Sequence, residues 1–451
     1  MPRQSLHSRD PGREPVFERG LVRRNRSDLD AESMRALAAM AAKYAESVLP
    51  LDYRAGRLES PIHPFVARRH ELPHARLQAH GKALLAQLSL FLEDGWTFAD
   101  GDPQNFAWGS SGPVLLDWGA PIPREPSNAP WHGLKQFAET VLYPLAISTQ
   151  TRLPPSRWLR SFPGGIGAEE TRAVLRGRIW RTPLWVQILL NGDHGKRNGF
   201  AASVARSATT GKAEGGHRRR DALPWLLRRL QKAISHLRAP EKHWRNRGWA
   251  SHQAKNSYSA RALAARKQAI DRIAAERRAF RALDLGAHVG SLLAAAITGR
   301  TPEHCVAVDA DPGCTHGLHG AFRGRPVSLV EADLMEAEDL AGRLGAFAPD
   351  ITLACGLIHH LALARSDGLR RALEMVLACA GKKPGSVIVL EWIPADDPQL
   401  RSLYDNRTFR SPRLHEYRLD AARARLSQSR RVEEIGLPGT GRTLLRCELP
   451  I

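Results

Sequence analysis

The residues with the clearest chemical meaning lie in one short stretch, between Asp284 and Gly290. An apolar run ends at Asp284, Gly286 and Gly290 follow with His288 between them, and residues 291–297 favour a helix. A strand, a glycine-containing turn and a helix in this order form the first crossover of a doubly wound sheet, where cofactors bind. Glycine is favoured in the turn because it adopts positive φ angles and lets a ligand approach the backbone closely. The stretch therefore predicts a cofactor site.

Acidic residues at the ends of the next two apolar runs extend this site. Asp309 ends a run that begins at Cys305, about 20 residues after the glycine turn, which is the usual offset of an acid that binds ribose hydroxyls. Asp333, which follows the next run, could accept a hydrogen bond from an adenine amino group while Leu334 lines the ring. The predicted cofactor-binding residues are Asp284, Gly286, His288, Gly290, Asp309, Asp333, Leu334 and Cys355.

The elements that must position these residues alternate between strands and helices. Five apolar runs suited to buried strands begin near residues 282, 305, 327, 350 and 386. The runs 431–436 and 442–447, joined by a turn that contains proline and glycine, predict a closing antiparallel hairpin. This order predicts the α/β class, with a Rossmann-like, mostly parallel seven-stranded sheet in residues 241–451.

The N-terminal half contains a second group of residues suited to chemistry. Asp100 is followed after four residues by Asn105, and a later strand ends in Asp117, an aromatic residue and glycine. This pattern resembles the catalytic loop and the metal-binding segment of protein-kinase-like folds. The alternative is a β-hairpin near 96–118 whose Asp, Pro and Asn residues only form turns. Neither a glycine-rich phosphate loop nor a strand-borne lysine precedes Asp100, so a kinase-like remnant is favoured over an active phosphotransferase.

The length of 451 residues predicts two or three domains. We expect a disordered basic tail in residues 1–30, a mostly helical kinase-like remnant in 31–200, a basic linker in 201–240 and the α/β domain in 241–451. The lack of a signal-peptide core and of an apolar run long enough to span a bilayer predicts a cytoplasmic protein. Five cysteines without CxxC spacing predict neither a disulfide framework nor a metal site.

The chain is strongly basic, with a formal net charge of +20 and a pI near 10.5. This charge favours anionic partners by long-range attraction. Trp225, Trp244, Trp249 and Tyr258 interleave with basic residues and could form a surface that stacks on bases, but packing in the core or between domains is the favoured interpretation of the tryptophans. However, the excess is carried mostly by arginine spread through the chain, as a GC-rich genome would also produce. Nucleic acid is therefore a possible partner but not the favoured one.

Five alternating strands with a terminal hairpin resemble the class I S-adenosylmethionine-dependent methyltransferases. A dinucleotide dehydrogenase is a poorer match, because its pyrophosphate usually requires all three glycines of the turn, whereas adenosylmethionine has no phosphate and tolerates His288. More narrowly, the chain resembles the nodulation-associated (NoeA-like) methyltransferase family, which joins a kinase-like remnant to a class I domain. The segments that carry this resemblance are the turn at 284–290, Leu357–Leu361, Glu391–Pro398, Gly441–Leu444 and the upstream hairpin at 100–117.

The resemblance implies S-adenosyl-L-methionine as the cofactor and methyl transfer to an O or N acceptor of a small molecule, carbohydrate or conjugate. His359 and His360 follow the fourth predicted strand and are candidates for a general base, while Glu391 ends the fifth and could position the acceptor. The histidines could instead cap the next helix or line the cofactor pocket. Two alternatives remain for the whole chain: an RNA or ribosomal-protein methyltransferase that uses the basic central region, and a non-catalytic scaffold protein.

Overall fold

The computed structural model describes residues 16–18, 21–24, 26, 28–124, 131–191, 222–245, 258–277, 279–337, 339–363, 368–405 and 414–451. The chain divides into two compact units. Of the described residues, those within 244–322 and 326–451 form the C-terminal unit, and those within 16–243 form the N-terminal unit together with 323–325. Across the described ranges, no helix is both long enough and apolar enough to cross a membrane.

The N-terminal unit contains one four-stranded antiparallel sheet, in the order β1-β2-β4-β3, and two pairs of strands, β5 with β8 and β6 with β7. Its strands are β1 (Val16–Glu18), β2 (Leu21–Arg24), β3 (Asp52–Arg54), β4 (Arg57–Pro61), β5 (Trp96–Phe98), β6 (Phe106–Trp108), β7 (Pro113–Leu115) and β8 (Pro121–Pro123). The predicted hairpin near 96–118 is thus two nested strand pairs, of which β6 and β7 form the inner one.

Helices supply most of the N-terminal unit. They are α1 (Ala31–Lys43), α2 (His74–Glu93), α3 (Leu134–Phe137), α4 (Tyr143–Thr151), α5 (Pro155–Ser161), α6 (Ala168–Leu175), α7 (Leu184–Asn191), α8 (Ala222–His236) and α9 (Glu241–Arg245), which contains the division between the units. A π-helical turn, Ala138–Leu142, joins α3 to α4. The long helix α2 is central to the core, because Leu77, Leu84 and Leu88 recur at helical spacing and are fully buried.

The prediction of a disordered tail through residue 30 is wrong for the part of it that the structure describes. Strands β1 and β2 extend the sheet of β3 and β4, and Arg26 is fully buried. The guanidinium of Arg26 donates hydrogen bonds to the carbonyl oxygens of Trp118 and Pro121, each at 2.9 Å, and also pairs with Asp28. A basic segment can therefore be buried when carbonyl and carboxylate oxygens satisfy its donors.

The prediction of a basic linker over 201–240 is also wrong in its second half. Helix α8 lies there and packs on α2, with Leu227, Leu230 and Ile234 fully buried. Gln78 on α2 donates hydrogen bonds to the carbonyl oxygens of Ile234 and Leu237. Residues 201–221 of the predicted linker and 1–15 of the predicted tail lie outside the described residues.

The C-terminal unit is built on one seven-stranded sheet. Its strands are β9 (Arg281–Leu285), β10 (His304–Asp309), β11 (Val327–Glu331), β12 (Ile351–Ala354), β13 (Val387–Trp392), β14 (Arg431–Gly436) and β15 (Thr443–Glu448). Their order is β11-β10-β9-β12-β13-β15-β14, and all pairs are parallel except those that β15 makes with β13 and β14. The predicted α/β class, the mostly parallel sheet and the closing hairpin agree with this arrangement.

Helices separate the parallel strands along the chain. They are α10 (Ala260–Ala275), α11 (Ser291–Ile297), α12 (Pro312–Ala321), α13 (Leu340–Phe347), α14 (Ile358–Leu363), α15 (Gly368–Cys379), α16 (Pro398–Asp405) and α17 (Leu419–Ser427). Every residue of β11, β12 and β13 is buried, which is why these strands read as continuous apolar runs rather than as an alternating pattern. The chain order reverses at β9, which lies between β10 and β12.

Candidate functional site

The candidate site lies at the carboxyl ends of the parallel strands around β9. Ligands of open α/β sheets bind in the crevice at the point where the strand order reverses, and that point in this sheet is β9. Asp284 lies near the end of β9, Asp309 ends β10 and Glu391 lies near the end of β13. The fold therefore brings to one edge of the sheet the acids that the sequence places on separate strands.

The turn after β9 has left-handed backbone conformations at three positions, Gly286 (φ 67°), His288 (φ 50°) and Gly290 (φ 81°). A Cβ on Gly290 would lie 2.8 Å from both Leu318 Cδ2 and Phe322 Cζ, so this glycine is required by the packing of α12. His288 occupies its unusual conformation with its N–H donated to Asp309 Oδ2 at 2.8 Å. This hydrogen bond ties the turn to the end of β10.

The carboxylate of Asp309 is held by two backbone donors. Its Oδ2 accepts from the N–H of His288 and its Oδ1 accepts from the N–H of Asp311, both at 2.8 Å. Burial raises the pKa of Asp309 to about 6, and the two backbone hydrogen bonds oppose that rise. The group is therefore ionised at neutral pH, and each oxygen keeps a lone pair that can accept a ribose hydroxyl.

Asp284 is a buried acid with unmet hydrogen-bonding capacity. Its side chain is 3% exposed, and its Oδ2 has no hydrogen-bond partner in the described part of the chain. Burial raises the pKa of Asp284 to about 7; the charge of Arg266 opposes this rise, and that of Asp309 adds to it. Because an unpaired buried carboxylate oxygen is unfavourable, this atom is suited to a positively charged donor on a ligand.

Three further predicted residues line the same edge. Asp333 follows β11, and its Oδ1 accepts a hydrogen bond from the N–H of Met335 at 2.9 Å. Leu334 is buried beside it, and Cys355, just after β12, is buried with its thiol 3.5 Å from the carbonyl oxygen of Val389. Burial raises the pKa of Cys355 to about 12, so its thiol is neutral and behaves as an apolar wall.

The structure gives Glu391 a different setting from the one predicted. The side chain is fully buried, its Oε2 lies 2.6 Å from Arg266 Nη2, and its Oε1 accepts a hydrogen bond from the Tyr258 hydroxyl. Because both oxygens are engaged and none of the side chain is exposed, direct positioning of an acceptor by Glu391 is not supported. Its geometry is that of a group that holds Arg266 and Tyr258 in place.

The sequence did not predict Arg266 or Tyr258 at this site, and it suggested Tyr258 only as a residue that could stack on bases. Arg266 lies on α10, and Tyr258 precedes that helix, so both come before β9 in the chain. Two guanidinium groups lie close to the Tyr258 ring, with Arg442 Cζ at 4.2 Å and Arg266 Cζ at 5.1 Å from its centroid. Arg442 is itself paired with buried Asp397 at 2.8 Å. A single arginine within a basic helix carries no local signal of such a role.

The two histidines lie together on α14, with their ring centroids 4.0 Å apart. His359 is buried, and burial is the main cause that holds its pKa well below the usual range, with His360 and Arg442 adding to the effect. Its imidazole is therefore neutral at physiological pH. His360 is only half-buried, so its ring can be solvated when it carries a proton.

In the N-terminal unit, the kinase-like residues are close to one another. Asn105 donates a hydrogen bond from its amide to Asp100, and burial followed by the charges of Asp117 and Asp102 raises the pKa of Asp100 to about 7. Asp117 forms an ion pair with Arg24 at 2.7 Å. The kinase-like origin of this unit stays a prediction. Over the described ranges, no cluster of three or more His, Cys, Asp or Glu residues is arranged to hold a metal ion.

A scan against protein-family models and a search of the curated proteins gave no match to the chain. Similar solved structures include the N-methyltransferase NodS from Bradyrhizobium japonicum WM9, at 13% identity and a TM-score of 0.32, covering 43% of this chain and 99% of that one. NodS in complex with S-adenosyl-L-homocysteine covers 42% of this chain and 88% of that one, at 14% identity and a TM-score of 0.32. An O-methyltransferase family protein from Burkholderia thailandensis has 16% identity and a TM-score of 0.33, and the match covers 41% of this chain and 55% of that one.

Similarity at these TM-scores carries no argument of its own, so the fold is described from the sheet alone. The sheet is mostly parallel, its strand order reverses at β9, and the antiparallel strand β15 lies between β13 and β14. This arrangement is Rossmann-like.

Proposed function

We propose that the chain is an S-adenosylmethionine-dependent methyltransferase that acts on an O or N acceptor of a small molecule, carbohydrate or conjugate. The observation that carries the proposal is that two acids, Asp284 and Asp309, lie at the point where the strand order of the sheet reverses. Asp309 offers two oriented oxygens to a ribose, and Asp284 has a buried oxygen that lacks a partner. A ligand with a ribose and a positively charged amino group satisfies both.

Asp284 makes a dinucleotide a poor ligand. A pyrophosphate over the turn after β9 would bring negative charge towards Asp284, whose carboxylate is already destabilised by burial. Adenosylmethionine has no phosphate and offers a cationic amino group instead. Asp333 and Leu334 would contact its adenine, Asp309 its ribose, and Cys355 would form an apolar wall.

When bound, adenosylmethionine supplies a methyl group on a positively charged sulfur. This chain would contribute alignment of the acceptor and removal of its proton. His360 is the better candidate for the proton acceptor, because its half-buried ring can be solvated as an imidazolium. Buried His359 resists protonation, so it is suited to shaping the pocket wall beside His360.

A calorimetric titration of the full chain with S-adenosylhomocysteine tests the cofactor assignment. Binding in the micromolar range is expected, whereas NAD⁺ and ATP should bind far more weakly because their phosphates would bring negative charge towards buried Asp284. Circular dichroism establishes that the sample is folded. Absence of S-adenosylhomocysteine binding by folded protein would rule out the methyltransferase proposal and favour a non-catalytic scaffold.

The affinity for S-adenosylhomocysteine is expected to fall as the pH is lowered from about 8 to about 6. Asp284, with a pKa of about 7, would lose the negative charge that attracts the ligand amino group, and Asp309, with a pKa of about 6, would begin to follow. Loss of one required ionised group weakens binding about tenfold per pH unit below its pKa. Titrations at four pH values measure this slope.

The effect of these two acids on folding stability has the opposite dependence on pH. Their pKa values in the folded chain lie above the usual aspartate value of 3.8, so their contribution to stability is fully present below that pH and is lost as the pH rises through about 6 to 7. The unliganded protein should therefore gain stability from both groups as the pH falls. An affinity that does not change between about pH 8 and 6 would contradict a role for ionised Asp284.

A further inference from the structure

We infer that the N-terminal unit carries a surface that binds single-stranded nucleic acid. Two arginine–tryptophan pairs form it, Trp180 with Arg181 and Trp225 with Arg229, and these four residues are the arginine–tryptophan surface. All four lie in the N-terminal unit, whereas the acids of the proposed cofactor site lie in the C-terminal unit. The inference therefore goes beyond the proposed methyl transfer and does not depend on it.

Trp180 gives this surface an exposed aromatic ring. Its side chain is 68% exposed, and the other tryptophans that the structure describes are buried or half-buried. The guanidinium of Arg181 lies over the ring, with its Cζ 4.9 Å from the ring centroid. An exposed indole is a platform on which any nucleobase can stack, because every base has a π face. The neighbouring guanidinium adds a cation that a phosphate can contact.

Trp225, on α8, gives the surface a second ring. Arg229, exposed one turn later on the same helix, has its Cζ 5.3 Å from the Trp225 centroid. Trp225 also meets buried Trp185 edge to face, with the ring centroids 5.3 Å apart and an interplanar angle of 82°. Trp225 is thus packed, as the sequence favoured, yet it remains partly exposed beside an arginine.

Helix α7 connects the two pairs. Its Trp185 contacts Trp225, and its Gln187 donates hydrogen bonds from the side-chain amide to the carbonyl oxygens of Trp180, at 3.2 Å, and Thr182, at 2.7 Å. Because Trp185 and Gln187 are two residues apart in a helix, their positions differ by about 3 Å along its axis. Both pairs are therefore anchored to the same turn of α7 and belong to one region of the N-terminal unit.

The elements that carry this surface are rich in basic residues and poor in acids. Residues 152–191 contain seven arginines and two acids, Glu169 and Glu170, and residues 222–236 contain two arginines, one lysine and no acid. The arginines of both pairs and the neighbouring Arg178 and Arg228 are exposed. Such a field attracts the phosphates of a polynucleotide, which release their condensed counterions when they bind.

An anionic membrane would also be attracted by these charges, but it matches the side chains less well. Trp180 and Leu184, which is 67% exposed, could enter its interface, whereas Trp225 is held against buried Trp185. Two inserted side chains form a small apolar anchor. Two indole rings, each with a guanidinium beside it, instead match unpaired bases, which stack on aromatic rings and on arginine planes. A duplex hides those base faces, so a single strand is the expected partner.

Fluorescence anisotropy of the full chain with a labelled oligouridylate of about 12 nucleotides tests the inference. A plot of log affinity against log salt concentration is expected to have a slope of about −2 to −4, as three to six phosphate contacts would give. Trp180→Leu keeps an apolar side chain and removes the ring, so a loss of about 5- to 100-fold at constant salt is expected. Trp180→Phe keeps a ring and should bind within about threefold of the unmodified chain.

A charge variant and its control complete the test. R181Q/R229Q should weaken binding and make the salt slope shallower by about 1.4, because two phosphate contacts are lost. R35Q/R57Q removes two exposed arginines elsewhere in the same unit and should leave the slope unchanged. Circular dichroism establishes that each variant is folded.

Three results would overturn the inference. They are an unmodified chain that does not bind the oligonucleotide, a folded Trp180→Leu variant that binds it with undiminished affinity, and equal changes of slope in the two double variants. Binding to vesicles of phosphatidylserine and phosphatidylcholine without binding to the oligonucleotide would identify a membrane as the partner instead. None of these measurements uses the cofactor site, so failure to bind S-adenosylhomocysteine would count against the proposed function alone.

Discussion

Replacement of Asp309 by alanine is expected to weaken S-adenosylhomocysteine binding by roughly 10²- to 10⁴-fold. The estimate follows from losing two hydrogen bonds to a charged group, each worth about 1.5–3 kcal/mol. The carboxylate is already oriented by the N–H groups of His288 and Asp311 at 2.8 Å, so it can accept both ribose hydroxyls without rearrangement. Calorimetric titration of the variant and of the unmodified chain measures the ratio of the two dissociation constants.

Two companion variants establish what the loss means. Asp309→Asn keeps one accepting oxygen and the shape of the side chain, so an intermediate affinity is expected. Asp396→Ala removes an exposed carboxylate of the same unit and should leave binding unchanged. An Asp309→Ala protein that is folded and binds with undiminished affinity would show that β10 does not end in a ribose-binding acid.

Gly290→Ala is expected to lower the free energy of unfolding by about 2–5 kcal/mol. About 1–2 kcal/mol comes from forcing an L-residue into the left-handed conformation, and about 1–3 kcal/mol comes from overpacking. Gly290 has a φ of 81°, and its Cβ would lie 2.8 Å from Leu318 Cδ2 and from Phe322 Cζ. Equilibrium unfolding in denaturant, followed by circular dichroism, measures the change.

Gly299→Ala is the matched control for this effect. Gly299 has a φ of 69°, and a Cβ there would have no atom within 4 Å, so only the conformational part of the cost, about 1–2 kcal/mol, is expected. The difference between the two variants isolates the contact of the turn with α12. Equal destabilisation by the two substitutions would contradict the close packing of Gly290 on Phe322.

Local patterns in the sequence were sufficient for the architecture of the C-terminal unit and for placing acids at the carboxyl ends of its parallel strands. Strands buried on both faces appear as apolar runs, and their carboxyl ends meet at one edge of a parallel sheet. Asp284, Asp309 and Asp333 could therefore be assigned to one edge before any contact was known. The same reasoning failed in the N-terminal unit, where charge suggested a tail and a linker but β1, β2 and α8 are ordered.

The sequence by itself determined the order of strands and helices, the glycine turn and the acids at the strand ends, because these depend on residues that are neighbours in the chain. Only the tertiary structure decided which charges are paired. Glu391 is far along the chain from Tyr258 and Arg266, yet it is fully buried against both. Likewise, Arg26 is buried because carbonyl groups of a distant turn accept its hydrogen bonds. Such pairs form only when packing removes water from both partners. Because the partners are distant in the chain, no local sequence pattern predicts them.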